Sequence, residues 1–230
     1  MVKAILFDVD GTLAETEEVH RRAFNETFAE EGLDWRWSRH LYGKLLAVTG
    51  GKERMRHFMD AYAPDERLSQ DKIAALHKKK TARYVELIGS GEIELRPGVF
   101  NLIHEAREAG LKLAIVTTTS LPNVTALIGG TLGPAAMKMF EVVAAGDIVP
   151  AKKPAPDIYL KALDGLKLPA SECLAIEDSE NGLKAASAAG VPTVVTVSAY
   201  TDGQDFSGAL TVLNSLDGVG LDWVKGRLAA

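Results

Sequence analysis

Ala4-Ile5-Leu6-Phe7-Asp8-Val9-Asp10-Gly11-Thr12 places two carboxylates, two residues apart, at the end of an unbroken apolar run, with a glycine directly after them. A continuous apolar run with no polar alternation reads as a strand buried on both faces, the habit of parallel sheets. On an extended segment alternate side chains share a face, so Asp8 and Asp10 point one way and Val9 the other. Two acids held together at the carboxyl end of a buried strand suit a divalent metal and a phosphate, with one acid as nucleophile and the other as proton donor. Asp-Gly is also a common turn dipeptide. A calcium loop does not fit, because the glycine comes too early and no glutamate closes the loop.

Outward from this stretch, similar β-rich runs recur at 3–10, 112–119, 142–145, 173–178, 193–197 and 210–213. Helical segments separate them. One starts at Pro97-Gly98 and stops at Gly110, one starts at Pro156, and one covers 179–189 before Gly190-Val191-Pro192. Strand–helix alternation with short connections predicts a three-layer α/β fold with a doubly wound parallel sheet, whose ligands sit beyond the carboxyl ends of the strands. The interval from Ala14 to Glu92 breaks the rhythm. It reads as helices over 16–31, 38–46, 52–62 and 69–88, with Gly89-Ser90-Gly91 as a hinge where the chain returns. The expected organisation is a core domain of 1–14 and 93–230 with a helical cap domain, 15–92, over the end of the first strand.

At 230 residues and 47% hydrophobic, the chain can bury a substantial core. A net charge of -5 argues against nucleic acid as a partner, since such proteins usually carry a basic footprint. The single cysteine, Cys173, excludes an intramolecular disulfide framework and suits a reducing, cytoplasmic setting. Met1-Val2-Lys3 leads straight into a strand with no secretory pattern, and the apolar runs are too short to span a bilayer. No membrane partner is expected.

Three more segments close strands with chemically useful groups. Val116-Thr117-Thr118-Thr119-Ser120 offers hydroxyls for phosphate oxygens, although threonine also simply favours strands. Lys153-Pro154-Ala155-Pro156-Asp157 places a lysine before a helix, where an ordinary surface loop is the alternative. Ile176-Glu177-Asp178-Ser179 ends a strand in paired acids, and Asp178 could equally be a helix N-cap.

Together and in this order, the four segments resemble the haloacid dehalogenase superfamily of phosphohydrolases. The resemblance covers nearly the whole chain. It implies that Asp8 is a nucleophile forming an aspartyl-phosphate and that Asp10 is the general acid and base. It further implies that Thr117 and Lys153 bind the transferring phosphoryl group. Asp178, helped by Glu177, then completes a Mg²⁺ site with the Asp8 carboxylate and the Asp10 carbonyl. Mg²⁺ keeps several waters, so two or three protein ligands suffice. As a proton donor Asp10 is expected to have a raised pKa once Asp8 is ionised and substrate is bound. Dehalogenating relatives do not need an acid two residues past the nucleophile, so Asp10 favours phosphate chemistry.

Within the superfamily the helical insertion resembles the β-phosphoglucomutase-like group, and most closely the CbbY-type phosphatases that hydrolyse xylulose 1,5-bisphosphate, a misfire product that inhibits Rubisco. The residues carrying this are Ala14-Glu15-Thr16-Glu17-Glu18 with His20-Arg21-Arg22-Ala23-Phe24-Asn25, then Thr49-Gly50-Gly51-Lys52-Glu53-Arg54, Leu121-Pro122-Asn123 and Lys152-Lys153-Pro154. Helical spacing adds an independent argument. Lys80 lies seven or four residues from Ile73, Leu76, Tyr84 and Leu87, so it shares their apolar face and should be paired, face a ligand, or snorkel. It also matches the position where mutase-like caps present a lysine to the substrate. Glu17, His20 and Tyr42 are candidate sugar-hydroxyl contacts, with a surface pair or a cap-core tyrosine as the plain alternatives.

A second phosphate needs a second anion site. Gly50, Gly51, Lys52 and Arg54 are candidates on the cap side, and Thr118, Thr119, Ser120 and Asn123 line the core side. The mutase pattern carries an arginine where Glu53 aligns, which disfavours a mutase; a one-residue shift of the alignment would put Lys52 or Arg54 there. The expected ligand is a small-molecule sugar bisphosphate, with phosphoglycolate or another small phosphate ester as the alternative, and the chain is expected to act as a monomer. Replacing Asp8 with asparagine should abolish the covalent route. Losing the Asp10 carboxyl should slow turnover by about 10²–10⁴ in a steady-state assay.

Overall fold

The computed structural model describes residues 1–65 and 67–228; Glu66 of the expected cap and the last two residues of the expected core lie outside them. A parallel sheet forms from β1 (Ala4–Phe7), β2 (Lys112–Thr117), β3 (Val142–Ala145), β4 (Cys173–Glu177), β5 (Thr193–Thr196) and β6 (Thr211–Leu213). Their spatial order is β3-β2-β1-β4-β5-β6. Strand order therefore reverses at β1, which pairs with β2 on one side and β4 on the other, Phe7 standing opposite both Ile115 and Ile176. In open α/β sheets that reversal opens a crevice outside the carboxyl ends of the strands.

The period of two explains the layers. Ile5 and Phe7 face one way and pack on α5 (Val99–Glu108), α6 (Leu121–Leu132) and α9 (Leu221–Leu228), through residues such as Leu102, Leu127 and Val224. Ala4 and Leu6 face the other way, against Ile158, Tyr159 and Ala162 of α7 (Asp157–Leu166) and Ala185 of α8 (Glu180–Ala188). Burial on both faces is why these strands are apolar throughout.

Between β1 and the sheet helices come α1 (Glu17–Glu30), α2 (Arg39–Leu45), α3 (Gly51–Tyr62) and α4 (Gln70–Ile88). Ser38 and Ser69 begin two of them as N-caps, accepting from the N–H groups of Leu41 and Lys72 at 3.2 Å each. The insertion has its own core, built of Phe24, Phe28, Trp35, Trp37, Tyr42, Met55 and Phe58. It is also joined to the sheet layer, because Ala23, Tyr84 and Ile88 belong to the same packed cluster as Val124 and Leu127 of α6. Among the described residues no helix is long and apolar enough to cross a membrane.

The expected strands and insertion helices are all present, with ends shifted by a few residues. The main difference is α6. Leu121-Pro122-Asn123, singled out in the sequence for its family resemblance, forms the first turn of a helix, with proline where its missing N–H is harmless. Gly129-Gly130 near its end weakens the helical pattern that would have announced it.

Phe28 is fully buried, with its ring edge-on to Trp35 and Trp37 at centroid distances of 5.2 and 5.0 Å. Phe28→Ala should therefore cost about 3–5 kcal/mol, read as a lower denaturant midpoint followed by tryptophan fluorescence.

Candidate active site

Asp8 stands one residue past β1, and its N–H donates to Ile176 O at 3.0 Å, so the paired strands fix its backbone. Lys153 Nζ reaches in from the loop before α7 and donates to Asp8 Oδ1 at 2.6 Å, Glu177 Oε1 at 2.6 Å and Val116 O at 2.9 Å. Tyr159 OH supports the group from α7 by donating to the same Glu177 oxygen at 2.5 Å. Ligand oxygens of Asp8, Glu177 and Asp178 lie within 4.8 Å of one another, and all three residues are buried.

Such crowding has electrostatic consequences. Burial pushes the Asp8 carboxyl up to about 7, with Lys153 opposing and Glu177 and Asp10 adding to the rise. Asp178 is raised for the same first reason, then by Asp8 and Glu177. Burial alone would lower Lys153, but Asp8 and Glu177 override it and hold the ammonium firmly charged. Three carboxylates thus face one ammonium. Glu177 Oε2 is buried without a hydrogen-bond partner. Excess negative charge with an unpartnered oxygen fits a divalent cation, whose ligands must be oxygens. Gly11 makes the closeness possible: its φ is +80°, and a Cβ there would run into the Asp178 carboxylate.

Asp10 sits among hydrogen-bond donors from the insertion. Its Oδ1 accepts from Thr16 Oγ1 at 2.5 Å and lies 2.9 Å from His20 Nε2. Lys80 Nζ is 2.5 Å from His20 Nδ1, so the pattern assigns Nε2–H as donor to Asp10 and Nδ1 as acceptor from Lys80. Burial would raise the Asp10 carboxyl, but His20, Thr16 and Lys80 pull it well below the usual carboxylate range. Of the pair, Asp8 is the carboxyl pushed up and Asp10 the one pulled down. Lys80 itself is buried, 4.6 Å from the Phe24 ring centroid, and is pushed down to about 7 by burial first, with Asp10 opposing.

Above these groups lies a cavity of about 470 Å³. It brings together Asp8, Asp10, Thr117, Lys153 and Asp178 on the sheet side with Glu17, His20, Gly50, Gly51, Arg54 and Lys80 on the insertion side. Thr118, Thr119, Ser120 and Asn123 form another wall. There Asn123 Nδ2 donates to Thr119 Oγ1 at 3.0 Å, while Ser120 Oγ and Asn123 Oδ1 are buried without partners.

Three expected residues are not on the wall. Tyr42 is fully buried in the aromatic core, its hydroxyl donating to Glu17 at 2.6 Å and accepting from Arg54 at 3.0 Å, so it holds two wall residues rather than a ligand. Lys52 turns to Asp147 at 2.5 Å, beside a Lys152–Glu53 pair at 3.0 Å that bridges insertion and sheet. Glu177 lies beneath Lys153, wholly buried. Sequence reading missed His77, Asn181 and Tyr200, which also line the cavity. His77 stands three residues before Lys80 on α4, so the same spacing argument could have found it. Asn181 donates to Thr49 Oγ1 and Ala47 O across the junction at 3.1 Å each, a contact with no local signature.

A family profile for haloacid dehalogenase-like hydrolases matches residues 2–190. This chain belongs to that family. It is 59% identical to Protein CbbY of Rhodobacter capsulatus over 90% of this chain and 91% of the relative. With Protein CbbY, plasmid, of Cupriavidus necator it shares 50% over 94% and 86%. Among solved structures it matches CbbY from Rhodobacter sphaeroides in complex with phosphate, at 50% identity and TM-score 0.92 over 98% of this chain and 100% of that one. An Asp-to-Asn variant of that CbbY in complex with xylulose-(1,5)bisphosphate matches at 51% identity and TM-score 0.93, over 97% and 99%. The chain is a phosphatase that these CbbY proteins resemble over nearly its whole length.

Lys80 titrates near 7 when folded and near 10.5 when unfolded. Between those values the unfolded chain carries a proton that the folded chain has released, so this group makes stability rise with pH there and contributes no slope below. Lys80→Met should flatten that rise, measured as urea midpoints at the two ends of the window.

Proposed function

We propose that this phosphatase is Mg²⁺-dependent, forms an aspartyl-phosphate on Asp8, and removes a phosphate from a sugar bisphosphate, with xylulose 1,5-bisphosphate as its substrate. The observation that carries the chemistry is the convergence of Asp8, Lys153 and Asp178 on the floor of a cavity, with Glu177 beneath Lys153, roofed by Asp10's partners His20 and Lys80. The substrate assignment is supported by the xylulose-(1,5)bisphosphate bound to the 51% identical CbbY variant. Unpartnered Ser120 and Asn123 oxygens and the Arg54 and Lys80 cations on the same cavity also suit a polyhydroxylated anion.

In this reading an Asp8 carboxylate oxygen attacks phosphorus in line, the P–O ester bond breaks, and the leaving sugar oxygen takes a proton from Asp10. Water then gives its proton to Asp10 and attacks the same phosphorus, releasing phosphate and restoring the Asp8 carboxylate. The lowered pKa leaves Asp10 ionised and so able to accept a proton in the second step, but as a weak base. For the first, the arriving phosphate adds negative charge nearby, which pushes the carboxyl upward and favours proton uptake. Lys153 and the Thr117 hydroxyl bind the phosphoryl oxygens, and Lys153 offsets the repulsion between two anions. Mg²⁺ held by Asp8, the Asp10 carbonyl and Asp178, with Glu177 behind them, would supply the remaining positive charge. Phosphate monoesters need accelerations up to about 10²¹, and charge neutralisation with positioning must provide most of it.

Residues 15–92 act in this proposal as a cap domain over a core of 1–14 and 93–230, and the chain works as a cytoplasmic monomer. A phosphate-release screen with Mg²⁺ tests the substrate. Xylulose 1,5-bisphosphate should exceed ribulose 1,5-bisphosphate, hexose phosphates and phosphoglycolate in kcat/KM. A preference for a monophosphate, or isomerisation of β-glucose 1-phosphate with little free phosphate, would overturn it.

A further inference from the structure

Asp178 is held by groups outside both the acidic motifs and the helical insertion. Ser198 Oγ donates to Asp178 Oδ2 at 2.8 Å. Ser198 is in turn fixed by Thr201, whose hydroxyl lies 3.1 Å from Ser198 Oγ and accepts from the Ser198 N–H at 2.9 Å. Next to Ser198 Oγ, Gly11 leaves the space that Oδ2 occupies. The carboxylate thus sits in a slot whose walls are the Gly11 loop after β1 and the segment after β5.

One side chain ties the two walls together. Arg96, where the chain returns from the insertion, donates through Nη1 to Gly11 O and, at 3.0 Å, to Thr196 O. Through Nη2 it donates to Val197 O at 2.6 Å and Asn214 O at 2.9 Å. Its own N–H donates to Leu13 O at 2.8 Å, and its side chain is only 8% exposed. The rigid guanidinium fork is what lets one residue grip several carbonyls at once; an ammonium cannot reproduce that geometry. Arg96 touches neither Asp8 nor Asp178, yet it fixes the residue beside Ser198 and the glycine that makes room for Oδ2.

We infer that Arg96 and Ser198 are positioning residues for the cation site, orienting the Asp178 carboxylate so that its other oxygen is presented to the Asp8–Glu177 cluster. This rests on the reading of Asp178 as a metal ligand. Groups that orient ligands from behind typically affect metal affinity by about 10–100-fold.

The test is calorimetric titration of the full chain with Mg²⁺ alone, in the absence of any phosphate ester. Ser198→Ala and Arg96→Lys should each weaken Mg²⁺ binding by about 10–100-fold. Ser198→Thr, which keeps the hydroxyl, should restore most of the loss. Because both residues act through one carboxylate, the double variant should lose less than the product of the two single losses. Added Mg²⁺ should return kcat for phosphate release toward the wild-type value in both single variants. A folded Ser198→Ala protein with unchanged Mg²⁺ affinity would overturn the inference, as would an Arg96→Lys protein whose melting point falls while its Mg²⁺ affinity does not. If Arg96→Lys does not fold, the Ser198 pair decides alone. Asp178→Asn separates the two levels: Mg²⁺ binding undiminished in that variant sinks the metal reading itself, whereas binding lost there but kept in Ser198→Ala sinks only the role of the outer residues.

Discussion

Asp8, Glu177 and Asp178 are like charges buried side by side, with Lys153 as the ammonium hydrogen-bonded to the first two. Bringing carboxylates out of water is costly, and their mutual repulsion grows as the local dielectric falls. The sheet imposes the arrangement regardless, because β1 is paired on both sides and its neighbour β4 ends in acids at the same level. Everything near the cluster accommodates it. Lys153 bridges two of the acids, Tyr159 donates from below, and Gly11 yields its side-chain volume to Asp178. Gly182 does the same for Glu177, since a Cβ there would strike its carboxylate. A site so rich in uncompensated negative charge is suited to positive charge brought from outside, which is the electrostatic setting phosphoryl transfer requires.

The insertion contributes a different kind of control. The groups that lower the Asp10 carboxyl are Thr16, at the N-terminal edge of α1, with His20 and Lys80 on α1 and α4. The His20 ring stacks on Tyr84 with centroids 4.1 Å apart, and Lys80 lies over Phe24. Aromatic packing in the helical layer therefore sets where the acid's partners stand. Asp8 is governed by the sheet, Asp10 by the insertion. Two carboxylates two positions apart in sequence are thereby driven in opposite directions, and added positive charge at Asp8 with added negative charge near Asp10 would have to reverse that order for Asp8 to attack and Asp10 to donate.

Much of the site was legible in the order of residues alone. The apolar runs named the strands, their lack of alternation named the parallel sheet, and the strand-end acids, hydroxyls and lysine all come to the cavity or its floor. Lys80 was legible from its spacing. The residues that escaped are those whose importance is relational. Arg96 reads as a polar residue before Pro97-Gly98, Ser198 as part of a loop, and Tyr42 as a hydroxyl available to a sugar. Only packing shows that Arg96 grips four backbone carbonyls, that Ser198 reaches Asp178, and that Tyr42 is enclosed by aromatics.

Elements, layering and the chemistry on offer could be read from residue order, because periodicity and residue type are local properties that survive in a string of letters. The donors gathered round Asp10, the burial of Glu177 beneath Lys153 and the fastening of Asp178 came only with the folded arrangement. Each depends on distances between groups far apart in the chain, and electrostatic and hydrogen-bond energies follow distance and burial, not position along the polypeptide.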